Sequence, residues 1–128
     1  MSLFKRKYTT SEEVKPTSKV EWRQLTDLAE LETIVNESND IPILIFKHST
    51  RCGISRMVLR QFENEFDFQD EITPYFLDLL QHRDISNEIA NRFDVQHQSP
   101  QMVVIKGGVA VYNASHESIA AADLKDFI

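Results

Sequence analysis

Three features of the chain predict an α/β fold with three layers, α/β/α, around a mixed central sheet. Ile41-Pro42-Ile43-Leu44-Ile45-Phe46 is a continuous apolar run, as a strand covered on both faces requires. Apolar residues then recur every four positions, at Ile54, Val58, Phe62 and Phe66 and again at Ile85, Ile89 and Phe93, the stripe of a helix lying on a sheet. Late in the chain, Gly107-Gly108 separates Met102–Ile105 from Val109–Tyr112, a two-residue hairpin turn needing φ > 0 at both positions. Strands joined through helices run parallel and a hairpin runs antiparallel, so the sheet is mixed.

Residues 1–18 are polar, first basic and then acidic, and read as a loosely held N-terminal arm; 19–128 form the folded domain. Val20–Leu25 is a short first strand with Trp22 as its packing residue. Asp27 caps a helix over Leu28–Asn36, with Glu30 at the capping-box position and Leu28, Leu31, Ile34 and Val35 on one face. Asn39-Asp40 turns the chain into the apolar run. After Cys52, Met57 and Leu59 flank the first four-residue stripe. Pro74 precedes a strand at Tyr75–Leu80, and Asp84 is available to cap the helix of Ile85. A last helix is expected from near Ser115, carrying Ile119, Leu124, Phe127 and Ile128. The order β-α-β-α-β-α-β-β-α, with its C-terminal hairpin and helix, is the thioredoxin-like pattern.

At 128 residues and 41% hydrophobic, the chain can bury one core without staples. Its formal charge of −6 argues against general binding to nucleic acid or anionic membranes. One cysteine rules out an intrachain disulfide and fits a reducing compartment. Met1-Ser2-Leu3-Phe4-Lys5-Arg6-Lys7 leads into polar residues, so no signal peptide is expected. No apolar run reaches the roughly 20 residues of a membrane span. A soluble, cytoplasmic monomer is the expectation.

Cys52 sits where the buried strand hands over to the amphipathic helix. Unpaired amide N–H groups and the positive end of the helix dipole favour a thiolate there. Such positions bring cysteine pKa values into the range of roughly 3.5–7.5, and the thiolate is the nucleophile. A free cysteine is more commonly a small buried hydrophobe. Arg51 before it, Gly53 after it and the polar approach Ser49-Thr50 do not suit a core, so a reactive thiol is the stronger reading. Ser55 stands where a second cysteine would resolve a disulfide, and its hydroxyl is placed to donate to the thiolate. Alternatively it is an ordinary first-turn residue.

Lys47, Arg51, Arg56 and Arg60 form a basic cluster in an acidic chain. They are either a solvated surface or a means to stabilise the thiolate and bind a carboxylate on a thiol substrate, with Arg51 the leading candidate. His48 and His97 are candidates for supporting the site; a histidine at a strand end more commonly bonds backbone. No metal-ligand spacing is present, so no metal and no tightly bound cofactor are expected. In His97-Gln98-Ser99-Pro100-Gln101, Pro100 is either an ordinary first strand residue or follows a cis bond from Ser99. In a thioredoxin-like fold this loop reaches the cysteine, and Ser99 would offer backbone groups to an extended substrate.

Lys47-His48-Ser49-Thr50-Arg51-Cys52-Gly53-Ile54-Ser55, with His97-Gln98-Ser99-Pro100-Gln101, resembles the YtxJ-like monothiol bacilliredoxins from about Trp22 to Ile128. That family's pattern is Thr-Cys-Pro-Ile-Ser after Lys-His-Ser, with a His-x-Ser-Pro-Gln loop; here Arg51 precedes the cysteine and Gly53 replaces the proline. The resemblance implies de-bacillithiolation. Cys52 and Ser55 would be catalytic, while Thr50, Arg51, Gly53, Ser99, Pro100 and Gln101 would bind substrate. The partners would be S-thiolated client proteins, and bacillithiol, which bears malate carboxylates, would be the co-substrate. Cys52-Gly53-Ile54-Ser55 is also similar to the Cys-Gly-Phe-Ser of monothiol glutaredoxins, which carry iron–sulfur clusters but typically have a Thr-Val-Pro loop. A redox-silent binding module of thioredoxin-like fold is the third reading.

Overall fold

The computed structural model describes residues 20–128, so the expected arm over 1–18 lies outside the described residues. The chain runs β1 (Arg23–Gln24), α1 (Glu30–Glu37), β2 (Ile43–His48), α2 (Gly53–Glu65), β3 (Thr73–Asp78), α3 (Arg83–Phe93), β4 (Gln101–Lys106) and β5 (Val109–Ser115). Two 3₁₀ segments follow, His116–Ser118 and Ala121–Phe127. The sheet order is β1-β3-β2-β4-β5. β1 and β2 flank β3 in parallel, whereas β4 is antiparallel to both β2 and β5. The sheet is mixed, as expected.

All of β2 is buried, and its side chains alternate between two cores. Leu44 and Phe46 pack with Val58 and Phe62 of α2 and with Ile119 and Leu124 of the C-terminal segment. Ile43 and Ile45 pack on the other face with Leu31 and Ile34 of α1 and Ile85, Ile89 and Phe93 of α3. Each such side chain contributes about 1.5–3 kcal/mol when taken fully out of water. The alternation also sends the last two residues of β2 to opposite faces: His48 toward α2, Lys47 toward α3.

Asp27 and Glu30 act as expected at the start of α1. Glu30 Oε1 accepts Asp27 N–H at 3.0 Å and Asp27 Oδ1 accepts Ala29 N–H at 2.9 Å, although regular helix begins only at Glu30. Asp84 lies inside α3 rather than before it; His82 is the boundary residue. Gly107 (φ +59°) and Gly108 (φ +81°) make the hairpin turn. β1 is shorter than the expected strand, and the last helix is a correction. Ser115 still pairs with Gln101 in β5, His116 turns left-handed at φ +56°, and Ile119 and Ala120 are extended, leaving only 3₁₀ turns. No helix among the described residues is long and apolar enough to cross a membrane.

Candidate active site

Cys52 is the N-terminal boundary residue of α2, partly exposed, with extended backbone at φ −108° and ψ 120°. No side chain caps this helix and its first turn holds no acidic residue. The free amides of that turn therefore meet no competing anion near the sulfur. The turn before the helix is braced by three hydrogen bonds. Cys52 N–H donates to Ser49 O at 3.2 Å, Ser49 N–H donates to Ser55 Oγ at 3.1 Å, and Arg56 Nη1 donates to Thr50 O at 3.2 Å.

Ser55 is fully buried, and its Oγ lies 2.8 Å from His48 Nδ1. Burial is the main cause that holds His48 below the usual histidine range; Arg56 adds to it, while Asp78 and Glu63 oppose it. The ring is thus neutral at pH 7. The Ser55 oxygen also accepts Ser49 N–H, so one hydroxyl joins the histidine ring and the backbone of the turn. These contacts fix the strand end to the helix.

Lys47 leaves the expected basic cluster altogether. It is fully buried on the α3 side, with Nζ 3.0 Å from His97 Nδ1, a nitrogen that Ser86 Oγ also approaches at 3.2 Å. Burial lowers its pKa to about 8. His97, exposed at the surface, is held low by desolvation and then by the charges of Lys47 and Arg83. Ser86 carries no signal in the sequence, because it lies within the buried face of α3. Arg51, Arg56 and Arg60 remain exposed on the α2 side, beside exposed Thr50 and Gly53. Ile54, expected on the buried stripe, is 46% exposed, and Met57, expected beside that stripe, is 53% exposed.

Lys47 pairs with Gln101 across β2 and β4, so the 97–100 loop runs beside the segment leading to Cys52. The Ser99–Pro100 bond is cis, the second of the two readings the sequence left open. Gln101 and Pro100 do not offer side chains to a substrate. Both are buried; Gln101 Nε2 donates to Gln96 O at 2.9 Å and Pro100 O accepts His116 N–H at 3.0 Å. Ser99 Oγ and Gln101 Oε1 are buried without a partner among the described residues.

The sheet order and the lone cysteine at the start of α2 define a one-cysteine protein of thioredoxin fold. Residues 23–124 match the family model of the monothiol bacilliredoxin BrxC, and the chain belongs to that family. Among solved structures it is similar to a candidate oxidoreductase with a thioredoxin fold, at 30% identity and TM-score 0.69, covering 80% of this chain and 89% of that one. The thioredoxin of Fasciola hepatica is 24% identical with TM-score 0.62, over 81% of this chain and 93% of that one. The Malassezia sympodialis thioredoxin Mala s 13 is 17% identical with TM-score 0.65, over 91% and 93%. These last two share the fold.

Proposed function

We propose that the protein removes bacillithiol, or a similar low-molecular-weight thiol, from mixed disulfides on client proteins. The Cys52 thiolate attacks the sulfur of the small thiol; a Cys52–S–S–R bond forms, the old disulfide breaks, and the client leaves as its thiolate. A second small thiol then attacks the adduct, leaving with R as a free disulfide and returning Cys52 as thiolate. Nothing within the chain can perform that second step, because Cys52 is its one cysteine. The observation that carries this reading is the partly exposed Cys52 at an uncapped helix start in a chain of the bacilliredoxin family. Ser99, beside the cysteine turn, is where an extended client segment docks, and Arg51 and Thr50 border it. The protein works as a monomer in a reducing compartment.

The test is exchange with a bacillithiolated model protein, followed by intact mass spectrometry without reductant. Release of the client thiol together with a bacillithiol mass on Cys52 is expected. Cys52→Ser should retain its circular dichroism spectrum and lose exchange entirely. Accumulation of a Cys52–client adduct, or turnover by Cys52→Ser, overturns the reading.

A further inference from the structure

A groove of about 410 Å³ opens on the α2 side of the sheet, lined by His48, Arg56, Leu59, Arg60, Glu63 and Asn64. That volume lies within the range of small-molecule sites. Arg56 links it to the cysteine turn: its Nη1 donates to Thr50 O, and a β-carbon built at Gly53 would stand 3.9 Å from its Nη2. Along the helix axis Arg56 and Arg60 stand about 6 and 12 Å beyond Cys52. Neither guanidinium enters an ion pair among the described residues. The one carboxylate at the groove, Glu63, is engaged by Trp22 Nε1 at 2.7 Å. His48, only 5% exposed, also lines the groove, and its Nδ1 lies 2.8 Å from Ser55 Oγ. Two cations outside any ion pair among the described residues thus line a small-molecule volume along the helix that starts at the nucleophile, in a chain of net charge −6.

We infer that this groove binds the carboxylate-bearing end of the small thiol, with Arg56 and Arg60 as its anion clamps. The inference rests on the exchange reading above and adds its regiochemistry. A small thiol anchored along α2 presents its own sulfur to Cys52 and leaves the client sulfur on the outer side as leaving group. A carboxylate paired with a guanidinium makes a charge-assisted hydrogen bond that an uncharged thiol cannot replace.

The experiment compares one neutral peptide thiol carried as its mixed disulfide with mercaptosuccinate, which has two carboxylates, or with mercaptoethanol, which has none. Wild type should favour the mercaptosuccinate disulfide in kcat/KM, and Arg60→Glu should lower the ratio of the two values by about tenfold or more, since charge-assisted contacts are the strong ones. Arg56→Gln should lower it in the same direction. Both arginines are exposed, so folding is not at stake. An unchanged ratio in Arg60→Glu, with both disulfides still reduced, overturns the groove while leaving the exchange reading intact. Sensitivity to Arg60 that appears only when the peptide itself is made acidic overturns it too, assigning the arginines to the client. Failure of wild type on both disulfides overturns both proposals.

Discussion

The Ser55 hydroxyl joins α2 to the end of β2: it lies 2.8 Å from His48 Nδ1 and accepts Ser49 N–H at 3.1 Å. Removing it leaves the buried His48 nitrogen and the Ser49 amide without their partner. Ser55→Ala should therefore lose about 1–3 kcal/mol of stability, the usual cost of orphaned polar groups. Urea denaturation checks this through the midpoint. An unshifted midpoint would mean that water satisfies both groups and that the hydroxyl is structurally idle.

Lys47 makes stability depend on alkaline pH. In the unfolded chain it keeps its proton up to about 10.5, but in the folded protein only to about 8. Between those values the unfolded state binds more protons, so this residue makes stability rise with pH across the window. Below pH 8 the charged ammonium is present in both states and its burial cost is felt in full. Lys47→Met should be more stable than wild type at pH 7, by as much as roughly 3 kcal/mol if its contact with His97 adds nothing. The difference should shrink between pH 8 and 10.5. Parallel urea titrations of both proteins measure it; a difference flat across that window sinks the prediction.

Gly53 occupies the first position of α2, where the family pattern has proline. Cys52 already has the extended backbone that a residue before proline prefers, and a β-carbon at position 53 would stand 3.9 Å from Arg56 Nη2, an ordinary contact. Gly53→Pro should raise stability by about 0.4–1 kcal/mol by narrowing the unfolded ensemble. Thermal melting at neutral pH should move up by a few degrees. A drop would show that the Gly53 amide has a use the proline cannot meet.

The layers were legible because their signals are local. The run Ile43–Phe46 and the paired glycines at 107 and 108 specify a buried strand and a tight turn without help from the rest of the chain. Lys47 and His48 interrupt the apolar run, yet they continue β2 to its pairing with Leu77 and Asp78. Their partners on the two faces, His97 and Ser55, are tertiary facts. Periodicity misplaced Ile54 because a stripe of four-residue spacing does not say where the sheet ends under the helix. The C-terminal segment misled in the opposite way: its apolar residues suit a helix, but His116 N–H is claimed by Pro100 O, and the chain must stay extended at Ile119 to bury that side chain. The position of Cys52 was readable, and so was the spacing of Arg56 and Arg60. That His48 would line a groove with them was not.

The braced turn from Ser49 to Cys52 has a kinetic meaning. With the amides of residues 49 and 52 and the carbonyl of residue 50 all held by intramolecular partners, the backbone that carries the sulfur is fixed in advance. In the exchange proposed above, the reorganisation then falls on the incoming disulfide, and a client that is locally pliant around its modified cysteine is expected to react faster than a stiff one.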